Sequence, residues 1–348
     1  MTTTVPALTT AGPNQPFRRG TVERRDPRPH DVVVDIAYSG ICHSDIHQAR
    51  DEWGEGIYPM VPGHEISGIV AAVGSEVDRY AVGDRVGVGC FVDSCRRCES
   101  CLAGEEQYCL EGEVQTYNSR AYDGSLTYGG YSTQIVVDQN YVLRIPDGIA
   151  LDAAAPLLCA GITLYSPLVR WGAGPGRKVA VLGMGGLGHL GVKLAKAMGA
   201  EVTVLSRTLA KEADGRRLGA DHYHATGDPR TFTELAGRFD LIVNTVAAEI
   251  PVEDYLRLLD LEGTMITVGV PRGELGYHGF SQVTGRGNPA GSKIGGIRQT
   301  QEMLDFCARH GLGADIETIS CDDVDDAWDR VVKGDVRYRF VIDAASFA

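Results

Sequence analysis

Two short segments of the chain concentrate groups that bind metals or move protons. One reads Gly40-Ile41-Cys42-His43-Ser44-Asp45-Ile46-His47, the other Val61-Pro62-Gly63-His64-Glu65. Together they hold a thiol, a hydroxyl, two carboxylates and three imidazoles. Thiolate and imidazole are the preferred ligands of zinc, and a catalytic zinc keeps one coordination position open. Cys42 and His64 supply two ligands, with Glu65 beside them, and the third must come from elsewhere in the chain; Cys159 is the candidate. Any one of these residues alone reads as ordinary core packing. The constellation is what argues for a metal.

A second ligand set is local. Cys95-x2-Cys98-x2-Cys101-x7-Cys109 brings four thiols into a stretch that can wrap one tetrahedral zinc, and a closed set of four thiolates is a structural site. Four cysteines can also hold an iron–sulfur cluster. A nucleic-acid-binding zinc ribbon is a poorer match, because Glu99, Glu105, Glu106, Glu111 and Glu113 outnumber Arg96 and Arg97. Cys90, Cys307 and Cys321 lack ligand spacing and read as packing residues.

The elements that must position these groups fall into two kinds. At 348 residues the chain is long enough for two domains, and 43% hydrophobic with 23% charged residues is ordinary globular composition. Val32–Ala37, Gly68–Gly74 and Asp84–Gly89 are short, glycine-punctuated β segments, as in a partly open barrel or sandwich. The first thirty residues read as a polar, proline-bearing lead-in. Asp152 to Trp171 reads as a buried helix, kinked at Pro156, with Cys159 in its first half.

The pattern then changes. The strand Lys178–Leu182, the turn Gly183-Met184-Gly185-Gly186-Leu187-Gly188, a helical stretch and the strand Glu201–Leu205 make a dinucleotide-binding unit. Gly183 allows the tight turn, Gly185 a close approach to a pyrophosphate, and Gly188 tight helix–strand packing. Alternation continues through Leu241–Val246 and Met265–Val270, predicting a doubly wound parallel sheet. Gly273 to Gly296 is glycine-rich and irregular, Gln299–His310 and Val324–Lys333 are helical, and Val336–Ile342 is a closing strand expected to return to the first domain.

The second strand of the nucleotide unit predicts which nucleotide. An NAD site places a carboxylate there for the adenine ribose. Here Val204-Leu205 leads into Ser206-Arg207-Thr208 and then Lys211, with no carboxylate from Val202 to Lys211. Ser206 and Arg207 suit a 2′-phosphate, so NADP(H) is expected.

The net charge of -13 and pI near 5.1 argue against phosphate backbones and anionic membranes as partners. No secretory pattern opens the chain and no stretch is long and apolar enough to span a bilayer. Nine cysteines in such a chain point to metal or catalysis rather than disulfides, with a cytoplasmic location as the default.

These residues resemble the zinc-dependent medium-chain alcohol dehydrogenases nearly end to end. Gly63-His64-Glu65-x2-Gly68-x5-Gly74-x2-Val77 matches that family's zinc signature, the Cys95/Cys98/Cys101/Cys109 lobe its structural zinc, and Gly183–Gly188 its cofactor turn. Cys42-His43-Ser44-Asp45, Tyr117-Asn118, Gly129-Gly130-Tyr131 and Asp335–Asp343 look like the cinnamyl-alcohol-dehydrogenase branch, whose members mostly use NADP(H) and whose bacterial members reduce a broad range of aldehydes.

The resemblance implies an α/β protein with a doubly wound parallel Rossmann domain, residues 161–292, and a mainly β, GroES-like catalytic domain, residues 1–160 and 293–348, with the active site in the cleft between them. It implies two zinc ions, one catalytic on Cys42, His64 and Cys159, with Glu65 an alternate ligand, and one structural. Asp45 would orient His64, Ser44 would pass the alcohol proton to the cofactor ribose, and His47 would pass it to solvent. Arg339 would bind the pyrophosphate, and Gly186, Leu187, Val246, Val268, Val270, Ser292 and Ile294 would join the cofactor contacts. A homodimer acting on small alcohols and aldehydes is expected. Two departures blur the substrate. Gln115 stands where plant members carry a pocket Trp, and Lys293 where they carry a Phe, while Trp53, Phe91 and Leu158 could still line an apolar pocket. An NAD-dependent polyol or alcohol dehydrogenase and a non-enzymatic nucleotide or metal sensor on the same fold are the competing readings.

Overall fold

The structure is a computed structural model describing residues 2–271, 273–280, 283 and 287–347. The chain forms two compact units, residues 1–159 with 295–348, and residues 160–294. The sequence placed these divisions after residues 160 and 292.

The first unit is built on β3 (Asp31–Gly40), the longest of its strands. Its apolar residues Val32, Val34 and Ile36 are buried, so β3 occupies the middle of a seven-stranded sheet. It pairs antiparallel with β4 (Ile66–Val73), β8 (Gln134–Asp138) and β17 (Arg339–Asp343). β5 (Arg85–Val88) and β9 (Leu143–Arg144) extend the β4 side, and β16 (Ile316–Ile319) lies parallel to β17. The closing strand therefore returns to the first unit, beginning at Arg339 rather than Val336. The strands β6 (Phe91–Asp93) and β7 (Val114–Gln115) flank the cysteine-rich lobe.

The polar lead-in forms an antiparallel hairpin, β1 (Thr3–Thr9) on β2 (Arg18–Arg24). β2 looked polar because only Val22 and Arg24 face inward. Arg24 donates to the carbonyls of Tyr128 (2.6 Å) and Gly129 (2.8 Å) and to Ser132 Oγ (2.7 Å). Burial lowers its pKa to about 9.

The second unit is a six-stranded, wholly parallel sheet: β10 (Lys178–Leu182), β11 (Glu201–Ser206), β12 (His222–Ala225), β13 (Phe239–Asn244), β14 (Leu259–Thr267) and β15 (Asn288–Gly291), in the order β12-β11-β10-β13-β14-β15. Val179, Ala180 and Val181 of the central β10 are wholly buried, as expected for a strand covered on both faces. The glycine-rich stretch 273–296 is not irregular throughout, since it contains β15; its residues 281, 282 and 284–286 lie outside the described residues.

The expected continuous helix from Asp152 is broken. A short helix (Leu151–Ala154) tightens into a 3-10 turn (Ala155–Leu158), and a new helix starts at Ala160. The break falls at Cys159 (φ -124, ψ -70), not at Pro156, which sits comfortably near the start of its turn. Among the described residues no single helix is long and apolar enough to cross a membrane.

Candidate active site

Three backbone ends converge in the first unit. The Gly40 amide donates to Glu65 O (2.8 Å) and the Ile41 amide to Phe340 O (2.9 Å), so the segments carrying Cys42, Glu65 and Arg339 are joined by backbone hydrogen bonds. Asp45, on the short helix His43–Ala49, ties two of these arms together. Its Oδ2 accepts the Cys42 amide (2.8 Å), and its Oδ1 accepts the Gly63 amide (3.2 Å) and faces His64 Nδ1 (2.9 Å). With Nδ1 engaged, His64 offers Nε2 as a ligand, and Asp45 fixes the ring. Tyr117 stacks on the same ring, with centroids 5.9 Å apart.

The ligand atoms of Cys42, His64, Glu65 and Cys159 all lie within 4.8 Å of one another, and all four residues are buried. The break at Cys159 is what brings its thiol here: Cys42 Sγ and Cys159 Sγ are 3.9 Å apart. That is close to ~3.8 Å, the edge of a tetrahedron with ~2.3 Å zinc–sulfur bonds. Glu65 Oε2 is buried without a hydrogen-bond partner among the described residues. The donor set fits a zinc ion on Cys42, His64 and Cys159, with Glu65 behind it. Gly40 makes room for that carboxylate, since a Cβ there would collide with Glu65 Oε2.

The electrostatics agree. The hydrogen bond from Cys159 holds the Cys42 thiol well below its ordinary pKa, against the effect of burial, while the same contact and that of Cys90 hold Cys159 well above. Burial pulls His64 down, but the Asp45 charge and hydrogen bond raise it well above its usual value. Burial pushes Glu65 up to about 7, with Arg339 opposing. Arg339 forms a buried ion pair with Glu65, and its Nε has no partner among the described residues.

Ser44 and His47 lie on the same short helix as Asp45, one turn apart and partly exposed. His47 Nδ1 contacts the Glu52 carboxylate, and its ring lies 5.0 Å from that of Trp53. Sequence reasoning does not single out Glu52; its position just beyond the end of the helix bearing His47 is the available signal. Cys90 was read as packing, yet its Sγ approaches Leu158 O (3.8 Å) and it neighbours Cys159. Its place at the end of a strand, after Gly87-Val88-Gly89, was the clue. Gln115 and Asn118 both bond Gln48, making this wall polar. Phe91 and Leu158 are buried, while Trp53 is partly exposed.

The second thiol set also fits a metal. The Sγ atoms of Cys95, Cys98, Cys101 and Cys109 lie within 4.8 Å of one another. Amides point at the sulfurs, Cys98 N at Cys95 Sγ (3.4 Å) and Leu110 N at Cys98 Sγ (3.5 Å), as they do around thiolates.

In the second unit, the Gly183 turn has φ +95, accessible cheaply only to glycine, and a Cβ on Gly188 would collide with Gly183 O. Nothing lies within 4 Å of a Cβ built on Gly185, so this backbone is open to a ligand. Leu187 precedes the helix Gly188–Ala197, and Gly186 O accepts from His189 Nδ1 (2.8 Å). Ser206 ends β11, with Arg207 exposed after it, and Lys211 Nζ donates to Met184 O (3.1 Å). Val246, Val268, Val270, Ser292 and Ile294 follow the carboxyl ends of β13, β14 and β15. Open α/β sheets bind ligands at that edge.

Residues 28–147 match the alcohol dehydrogenase GroES-like domain and residues 186–309 the zinc-binding dehydrogenase domain. The chain is 61% identical to a probable formaldehyde dehydrogenase of Bacillus subtilis, over 95% of each chain. It is 58% identical to the NADP-dependent alcohol dehydrogenase C of Mycobacterium bovis, over 99% of each. A Helicobacter pylori CAD solved in complex with NADP(H) superposes with a TM-score of 0.93, at 41% identity and 99% coverage of each chain. With the fold and both thiol sets in view, the chain belongs to the zinc-binding alcohol dehydrogenases.

Proposed function

We propose that the protein interconverts primary alcohols and aldehydes by NADP(H)-dependent hydride transfer, working chiefly as a reductase of aromatic and aliphatic aldehydes. The buried donor set of Cys42, His64, Cys159 and Glu65, whose Oε2 has no hydrogen-bond partner among the described residues, next to a helix bearing Ser44 and His47, carries this reading. When bound, zinc supplies Lewis acidity toward the substrate oxygen, and the nicotinamide supplies or accepts the hydride. Asp45 holds His64 and the Cys42 amide in place. Ser44 delivers a proton to the substrate oxygen in reduction and accepts it in oxidation. His47, oriented by Glu52, exchanges that proton with solvent.

Gly183, Gly185, Gly186, Leu187 and Gly188 would seat the pyrophosphate, with Arg339 as its cation. Ser206, Arg207 and Lys211 would take the 2′-phosphate, and Val246, Val268, Val270, Ser292 and Ile294 would contact the cofactor further along. The exposed guanidinium of Arg207 and the absence of a carboxylate from Val202 to Lys211 support NADP(H).

The test is NADPH oxidation by the zinc-loaded protein across a panel of aldehydes, benzaldehyde included, beside the same panel with NADH. Turnover with NADPH well above NADH is expected; no turnover with either would sink the proposal. A homodimer is part of it, since β15 is an edge strand and Val270, Tyr277, Phe280 and Val283 nearby are exposed apolar residues. Light scattering should give twice the chain mass. Nine free cysteines, six of them in the two ligand sets, suit a reducing compartment such as the cytoplasm.

A further inference from the structure

The helix Ile297–His310 begins without a cap of its own. Its N-cap residue is Gly296 (φ -69, ψ 170), which has no side chain to accept the first amides. The missing acceptor comes from the cysteine-rich lobe. Glu106 Oε2 accepts the Ile297 amide (3.1 Å), placing a carboxylate where the helix dipole favours negative charge.

The contact is fitted on both sides. A Cβ on Gly296 would collide with Gly104 O, so only glycine lets the helix start sit this close to the lobe. Arg298 Nη2 donates to Ala103 O (3.3 Å). Residues 103–106 in turn lie between two ligands, with the Gly104 amide on Cys101 O (3.1 Å) and the Cys109 amide on Glu106 O (3.0 Å). The thiol set that fits a structural metal thereby determines where the Glu106 carboxylate stands.

The chain just before this cap is conformationally demanding. Ile294 has φ +37, a left-handed conformation rare for a β-branched residue, and the Ser292 amide is fixed to Thr267 O (3.2 Å). A strained residue persists when its surroundings hold it from both sides. Here one side is the end of β15, and the other is the capped helix start.

We infer that Glu106 is a positioning residue for cofactor binding: by capping the helix at Ile297, it transmits the geometry of the structural metal lobe to the segment Ser292–Gly296. This rests on the proposal that Ser292 and Ile294 contact NADP(H). It gives the lobe a role in the catalytic cycle beyond holding its own loop.

The experiment measures NADPH dissociation constants by fluorescence titration, steady-state kinetics, zinc content and amide exchange for E106A, E106Q and I294A. In E106A the NADPH dissociation constant should rise about tenfold, the effect of losing one charge-assisted hydrogen bond. KM for NADPH should rise more than kcat falls, zinc should stay at the wild-type content, and the Ile297 and Arg298 amides should exchange faster. E106Q keeps an acceptor oxygen and should restore binding to within about threefold of wild type. R298A, which removes the other contact to the lobe, should shift binding in the same direction if E106A folds poorly. Wild-type NADPH binding in E106A, or an E106Q variant as defective as E106A, overturns the inference. If I294A weakens binding and E106A does not, this inference fails while the cofactor assignment of the segment stands. If neither does, both fall.

Discussion

His47 Nδ1 meets the Glu52 carboxylate just beyond the end of the helix His43–Ala49, their side chains only 14% and 16% exposed. The contact leaves the other ring nitrogen of His47 available for the relay proposed for it and Ser44. Ser44→Ala should lower kcat by roughly 10²–10⁴, the usual range for a lost proton-transfer group, while Ser44→Thr should retain activity. Glu52→Gln should give a smaller loss in kcat, because it weakens the contact that orients the His47 ring rather than removing the relay. Wild-type turnover in the Ala variant would exclude the relay.

The two ligand sets predict two zinc ions per chain. Elemental analysis should find them, and one zinc, or any iron, would contradict the assignment. Cys98→Ser should mainly destabilise, because it opens a closed site inside a loop with little core of its own. Cys159→Ala should abolish turnover and leave the fold intact. Thermal melts and activity assays on both variants separate the two roles; equal destabilisation would merge them.

Ser206→Asp combined with Arg207→Ala should invert the cofactor preference. Charge-assisted hydrogen bonds contribute on the order of 1.5–3 kcal/mol each. Even one or two of them, weakened by solvent, amount to about a hundredfold in specificity. The change should appear in KM, since the 2′-phosphate is remote from the transferring hydride. Measured kcat/KM for NADPH and NADH with one aldehyde decides it, and an unchanged ratio would refute the assignment.

Asp221 gives the second unit an acid-sensitive contact. Burial pushes its pKa up, but Lys196 Nζ (2.7 Å) and the Val202 amide (2.8 Å) hold it net below the ordinary value. A depressed carboxylate stabilises the fold above its unfolded pKa, and that contribution is lost as pH falls through the folded one. Asp221→Asn should therefore cost about 1 kcal/mol at pH 7, allowing for solvent screening of a partly exposed pair, and less below about pH 4. Denaturant unfolding at both pH values tests this; the same deficit at each would rule it out.

Legibility followed locality. The spacing of Cys95, Cys98, Cys101 and Cys109 encodes a site within one loop, and Gly183 to Gly188 encode a turn whose backbone requires them. Cys42 and His64 were readable because their arms carry several reactive groups each. Cys159 was readable as a candidate, but its exposure to the site depends on a helix break that the apolar pattern of Asp152–Trp171 hides. Glu52 and Cys90 acquire their meaning only from neighbours brought by folding, His47 and Cys159. The hairpin was missed because β2 turns four of its first residues to solvent, leaving almost no alternation to detect. Glu106 looked like one more surface acid in an acidic lobe, and only the uncapped start of a helix far along the chain gives it a partner.

The space at Gly40 has a consequence for descent. The Glu65 carboxylate, which reaches within 4.8 Å of the ligand atoms around it, occupies room that exists only because residue 40 has no side chain. A methyl group there would collide with Glu65 Oε2, so the carboxylate paired with Arg339 would have to shift within the ligand set. One nucleotide change can turn a glycine codon into an alanine codon, so a single step in sequence is enough to disturb the ligand set. A side chain at position 40 and the carboxylate at position 65 thus compete for one volume.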